Sequence, residues 1–229
     1  MNNDTWTRVD QYLAGQLLQP DEALEAALRS SDAAGLPSIN VAPTQGALLQ
    51  MFARLCGARR ILEIGTLGGY STIWLARALP AGGRLITLEA DEQHAAVARA
   101  NIGRAGLANV VEIRVGRALD SLPVLARESR TAFDLTFIDA DKVNTPEYFI
   151  SALGMSRPGS LIIVDNVVRN GAVTDGATTD ASVQGMRRFF DLLKSERRVS
   201  ATAVQTVGAK GYDGFAIALV VDSAAPRVE

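Results

Sequence analysis

The sequence predicts an α/β fold: an open, mostly parallel seven-stranded sheet with helices on both faces and an antiparallel hairpin at its C-terminal end. Three observations predict it. Short, near-continuous apolar runs recur through the middle of the chain, as strands buried on both faces do. Helical patterns fill the gaps between them, the signature of parallel strands joined by crossovers. Two late apolar runs are separated by a segment too short to hold a crossover helix, so they pair antiparallel.

The elements follow in order. Up to about Gly57 the chain reads as helices. Asp21 opens Asp-Glu-Ala-Leu-Glu-Ala-Ala-Leu, which is rich in good helix formers and acidic in its first turn. Thr44–Cys56 repeats the helical spacing through Leu48, Leu49, Phe52 and Leu55. The first strand is Ile61–Ile64, ended by Gly65; the second is Leu85–Glu89; the third is Val110–Val115. The fourth, Phe133–Ile138, runs into Asp139, and the fifth, Leu161–Val164, runs into Asp165. Helices are predicted over Ser71–Leu79, Asp91–Ala105, Ala118–Arg127 and about Pro146–Leu153, with one more after Thr179 through Met186 and Phe189-Phe190. Ala201–Val207 and Phe215–Val221 form the hairpin, with Gly208–Gly214 as its loop. The whole chain, 1–229, reads as one domain with residues 1–57 as an N-terminal helical extension.

Composition narrows the function. The 229 residues carry a net charge of -2, which argues against a nucleic-acid partner. One cysteine, Cys56, excludes an intrachain disulfide and a cysteine-based zinc site. The single histidine, His94, argues against histidine-rich metal sites and Ser-His-Asp triads; it is expected on an exposed helix face. No apolar run is long enough for a membrane helix, and the polar stretch Met1–Asp10 lacks the form of a signal peptide. A cytoplasmic protein is the simplest expectation.

Open parallel sheets bind ligands beyond the carboxyl ends of their strands, at the point where strand order reverses. Glu63, Glu89, Asp139 and Asp165 all lie at or near such ends. Glu63-Ile64-Gly65-Thr66-Leu67-Gly68-Gly69-Tyr70-Ser71 follows the first strand and opens a helix, whose free N–H groups suit an anion. Leu67 breaks the Gly-x-Gly-x-x-Gly spacing, so a pyrophosphate site is disfavoured. Glu89, at the end of the second strand, can accept hydrogen bonds from both ribose hydroxyls. Loop and acid together indicate a nucleoside cofactor, and the loop variant favours S-adenosylmethionine (SAM) over NAD. Asp139, Asp165 and Asn166 present hard oxygen ligands that suit Mg²⁺ foremost, with Mn²⁺ or Ca²⁺ as alternatives. Taken singly, such acids more simply cap loops; their convergence favours the metal. Lys142, three residues after Asp139, is either a base near a cation or an ion-pair partner of Asp141.

With these residues in place, the chain resembles the metal-dependent, SAM-dependent O-methyltransferases that include the caffeoyl-CoA and catechol O-methyltransferases. The resemblance spans about Ile39 to Val221. It rests on Leu62–Ser71, on Phe137-Ile138-Asp139-Ala140-Asp141-Lys142 and on Asp165-Asn166-Val167. It implies a Rossmann-like class I methyltransferase fold and a methyl transfer to a hydroxyl of a catechol-like aromatic. Asp139, Asp165 and Asn166 would bind the metal. Glu63, Gly65, Thr66, Ser71, Glu89, Asp139 and Asp141 would hold the cofactor, with Val41 and Ala118 packing on it. Lys142 would be the base beside Asp139, and the enzyme would be a homodimer. Tyr212-Asp213-Gly214 resembles the turn before the family's last strand.

Two departures bear on the acceptor. Thr44 replaces an acid common in Pro-Glu-Gln-Gly, and Val143-Asn144-Thr145 lacks a tyrosine. The alternatives are a methyltransferase acting on a modified RNA nucleoside, a nicotinamide dehydrogenase, and a non-catalytic SAM-binding module. Arg169–Asp180 is expected to be a loop near the second metal segment.

Overall fold

A computed structural model describes residues 3–129 and 131–221. Seven strands form one sheet: β1 (Arg60–Ile64), β2 (Arg84–Glu89), β3 (Val111–Val115), β4 (Phe133–Ile138), β5 (Ser156–Asp165), β6 (Val199–Gly208) and β7 (Gly211–Val220). Their order is β3-β2-β1-β4-β5-β7-β6. The first five are mutually parallel, β7 runs antiparallel to β5, and β6 antiparallel to β7. The predicted fold class holds. The order reverses at β1, which pairs with both β2 and β4.

Among the described residues, eight α-helices surround the sheet: α1 (Asn3–Leu17), α2 (Glu22–Ala33), α3 (Pro43–Leu55), α4 (Tyr70–Ala76), α5 (Glu92–Arg104), α6 (Ala118–Glu128), α7 (Thr145–Gly154) and α8 (Ala181–Ser195). Local chemistry sets their starts. Asp21 caps α2 by accepting from the Leu24 N–H, and Asp91 caps α5 by accepting from the Gln93 and His94 N–H groups. Ala42 offers no side-chain cap, and Pro43 begins α3 without needing a partner for its nitrogen.

Side-chain alternation along the strands divides the core. Ile61, Leu85, Leu135, Phe137 and Ile163 pack against the face that carries α2–α5. Leu62, Ile64, Leu88, Ile162 and Val164 pack with Phe149, Met186 and Phe189 on the other face. Phe149 and Phe189 meet edge to face at 5.3 Å, a geometry worth about 0.5–1.5 kcal/mol beyond burial. No described helix is long and apolar enough to cross a membrane.

The C-terminal part differs from the expectation. The hairpin closes on Ala209-Lys210, because Gly208 and Gly211 already pair across the ladder. The seven-residue loop is therefore two residues long. Tyr212-Asp213-Gly214 lies inside β7 and is not a turn. A Cβ on Gly214 would sit 2.4 Å from the Val204 carbonyl oxygen, so this glycine permits close approach of backbone within a strand. The Asp213 carboxylate accepts from the N–H groups of Val168 and Arg169, tying the segment after β5 to β7. Helix α4 ends at Ala76, short of Leu79, and β5 begins at Ser156 behind a register shift. Arg169–Thr174 forms a 3₁₀ turn, broken by left-handed Asn170 and Gly171.

Candidate active site

Parallel register aligns the strand ends. Ile64 pairs with Leu88 and with Ile138, and Ile138 pairs with Val164. The residues that follow them therefore emerge side by side at the switch point. Gly65 N–H donates to the Leu88 carbonyl at 3.0 Å, and Asp139 N–H donates to the Ile64 carbonyl at 2.8 Å. Around these ends opens a cavity of about 600 Å³, within the range of small-molecule sites.

One wall holds Gly65, Thr66, Ser71, Glu89, Val41 and Ala118; another holds Asp139, Asp141, Lys142 and Asn166. Of the residues predicted from sequence, Glu63 and Asp165 do not line it. Glu63 is fully buried beneath the loop and accepts from the hydroxyls of Ser71, at 2.7 Å, and of Thr72. It reaches the cavity only through Ser71. Asp165 lies behind Asn166, 5% exposed, and accepts from the Asn166 N–H at 2.8 Å and from Gln45 Nε2 at 2.7 Å.

Glu89 holds the glycine loop. Its Oε2 accepts from Thr66 N–H at 3.0 Å and Leu67 N–H at 2.7 Å, and its Oε1 accepts from Asp91 N–H at 3.1 Å. A carboxylate has about four acceptor positions, so Oε1 keeps capacity for a ligand hydroxyl. Behind the loop, fully buried Asn101 donates to the Gly68 carbonyl at 2.8 Å. Leu67 adopts a left-handed φ of 50°, and Glu89 holds the N–H of that strained residue.

Lys142 is 8% exposed, and its Nζ lies 2.8 Å from Asp139 Oδ1. It pairs with Asp139, not with Asp141. Asp141 instead accepts from Asn144 Nδ2 at 2.8 Å and from the Tyr148 hydroxyl; burial and, after it, that contact raise the Tyr148 pKa. Helix α8 fixes the lysine's backbone. A Cβ on Gly185 would sit 2.1 Å from the Lys142 carbonyl oxygen.

Burial and, secondly, the neighbouring Asp139 charge push the Asp165 carboxyl up to about 7, against the opposing charge of Lys142. Asp139, Asp165 and Asn166 offer oxygen donors alone. That oxygen-only donor set fits a hard divalent cation. Among the described residues, no group of three His, Cys, Asp or Glu side chains could hold a metal; the fit rests on two carboxylates and Asn166.

Three cavity residues, and Gln45 beside Asp165 outside the cavity lining, escape the sequence reading or correct it. His94 lines the cavity with Nδ1 3.6 Å from Glu89 Oε1, and is not solvent-exposed on a polar face. Gln45 carries no charge pattern to flag it, although its neighbour Thr44 marks a departure from the family. Arg169 reaches the wall from a left-handed φ of 55°. Tyr148 has a signal only through the missing tyrosine at 145.

The O-methyltransferase family model matches residues 19–218. The chain belongs to the O-methyltransferase family. Catechol O-methyltransferase of Niastella koreensis is 54% identical over 96% of this chain and 100% of its own length. Catechol O-methyltransferase of Mycobacterium tuberculosis is 50% identical over 93% of this chain and 94% of its own. The solved O-methyltransferase of Bacillus cereus in complex with SAH superposes with a TM-score of 0.94 at 57% identity, covering 96% of this chain and 100% of that one. TomG of Streptomyces achromogenes, an O-methyltransferase solved with SAM, gives 0.94 at 52% identity, covering 97% and 100%. The O-methyltransferase described here is a SAM-dependent enzyme with a Rossmann-like fold. These relatives do not favour the dehydrogenase or the non-catalytic binding module.

Burial of Glu63 in this methyltransferase has a consequence for stability. Burial pushes its carboxyl up to about 7 from 4.5, against hydrogen bonds from Thr72, Ser71 and Thr87. In the folded state the proton is held up to about pH 7, whereas in the unfolded chain it leaves near 4.5. The folded state thus binds more protons across that window, and stability falls as pH rises through it. The full effect is on the order of 3 kcal/mol above pH 7. Glu63→Gln keeps the shape and removes the charge. In thermal melts at pH 5 and pH 8 without ligand, the variant is expected to gain on the parent as pH rises. Parallel profiles would contradict it.

Proposed function

We propose that this enzyme transfers the SAM methyl group to one hydroxyl of a catechol-like aromatic with two neighbouring hydroxyls. We further propose that it uses a divalent cation, Mg²⁺ foremost, at Asp139, Asp165 and Asn166. The observation that carries the reading is one cavity walled by Glu89 and the glycine loop on one side and by Asp139, Lys142 and Asn166 on the other. The names of the two catechol O-methyltransferase relatives favour a diol over an RNA nucleoside.

SAM, when bound, supplies an electrophilic methyl on sulfur, and the cation supplies charge that lowers the pKa of the acceptor hydroxyl. The chain's residues do the rest. Glu89 accepts from a ribose hydroxyl through Oε1 while Oε2 keeps Thr66 and Leu67 in register. Glu63 is a positioning residue that orients Ser71 towards the cofactor. Val41 and Ala118 shape the apolar part of the wall. Lys142 takes the acceptor's proton at Nζ, and Asp139 holds that amine at 2.8 Å. Fixing the acceptor beside the lysine, in line with the methyl carbon, removes orientational freedom that the reaction would otherwise have to lose.

Transfer of labelled methyl from SAM to a panel of aromatic vicinal diols, with Mg²⁺ and then with excess chelator, tests the reading. Transfer is expected to diols and not to monophenols, and to stop in chelator. Undiminished transfer in chelator would remove the cation. Equal transfer to monophenols would remove the diol.

A further inference from the structure

The opposite end of the sheet carries a second cavity, of about 490 Å³, lined by Arg59, Arg60, Arg84, Arg157, Asp134 and Gly82 among others. It lies at the amino ends of β1 and β2, while the active site lies at their carboxyl ends. Five residues of β1 at about 3.3 Å each separate the two by roughly 15 Å.

The charges in this cavity do not balance. Asp134 is its one acid among the described residues, and it is already engaged. It accepts from the N–H groups of Arg59 at 2.8 Å and Arg60 at 3.0 Å, and from Arg157 Nη2 at 2.6 Å. Among the described residues, Arg59, Arg60 and Arg84 have no ionic partner. They are held instead by neutral groups. Arg59 donates to the Ala81 carbonyl at 3.1 Å, Arg84 donates to the Asn109 carbonyl, and the Arg60 guanidinium lies 5.0 Å over the Phe133 ring. These contacts fix the side chains and leave their charges uncompensated. Three such cations around one volume repel one another, on a chain whose net charge is -2. A guanidinium fork matches phosphate oxygens two at a time. Three of them match an anion with more charge than one carboxylate or one phosphate carries.

We propose that this cavity binds a small anion bearing two or more linked phosphates, either inorganic pyrophosphate or the diphosphate of a nucleotide. Isothermal titration of the full chain at 0.15 M salt, with pyrophosphate, ADP and adenosine in separate runs, tests it. One saturable site is expected for pyrophosphate and ADP and none for adenosine, and saturating SAM is expected to leave it in place. Equal affinities would identify the phosphates as the whole of the ligand; tighter ADP would identify a nucleotide. The exposed pair Arg59→Gln and Arg84→Gln, checked by melting to remain folded, is expected to weaken binding at least about tenfold. Arg60→Lys keeps the charge, loses the fork, and is expected to weaken it less. No saturable binding, an unchanged affinity in the double variant, displacement by SAM, or preference for duplex RNA at equal phosphate would overturn the proposal.

Discussion

Lys142→Met is expected to lower kcat by about 10²–10⁴-fold while SAM still binds. Methionine keeps the apolar stem and length of the buried side chain, so the packing under α8 survives. What is lost is the amine that pairs with Asp139 at the cavity wall. Loss of a general base lowers kcat and removes the limb of the pH–rate profile that reports its titration. A merely structural lysine would leave that limb in place. Single-turnover rates across pH, compared with SAM affinity from titration, separate the two. Turnover near that of the parent would take the base role away from Lys142. The variant also strips Asp139 of its 2.8 Å partner. Asp139 is partly exposed, so the stability cost is expected to be small against the loss of rate.

Why so much of this site can be read from sequence follows from the sheet. In a parallel sheet each strand ends on the same side, so an acid after an apolar run is placed near every other such acid before any tertiary contact is known. Gly65, Glu89, Asp139 and Asn166 are legible for that reason. Gln45 is not. It reaches Asp165 across 120 residues of chain, and only the docking of α3 on the sheet brings it there. His94 misleads in a related way. Its helical face is polar, but α5 leaves β2 directly after Glu89, and that exit turns His94 towards the carboxylate. Tyr212-Asp213-Gly214 carries the residues of a turn, yet cross-strand pairing with Gln205, Thr206 and Val207 prevails. Asp213 finds its partners in the segment after β5, which no local rule can supply. Glu63 shows the limit from the other side. Its position is legible, but its distance from the cavity is set by Ser71 and Thr72 folding back over it.

Gly65→Ala is expected to damage both stability and activity. Gly65 has a φ of 99°, where a side chain is strained. A Cβ there would lie 2.1 Å from the Asp139 carbonyl oxygen and 2.7 Å from its carbon. Both obstacles are backbone, so no rotamer change relieves them. Strain of about 1–2 kcal/mol and overpacking of about 1–3 kcal/mol act together. At roughly 2–4 °C per kcal/mol for a chain of this size, melting is expected to fall by several degrees or more. The loop is the part free to move, because β4 is buried along its length. Moving it draws the Thr66 and Leu67 N–H groups off Glu89 and parts the two walls of the cavity. SAM affinity and kcat are therefore expected to fall together, unlike the kcat-only loss in Lys142→Met. Gly103→Ala is the control. Gly103 lies on α5 with nothing within 4 Å of its Cβ position, so alanine there is expected to stabilise by up to about 1 kcal/mol. If Gly65→Ala melts and binds SAM like Gly103→Ala, contact between the first and fourth strand ends does not hold the site together.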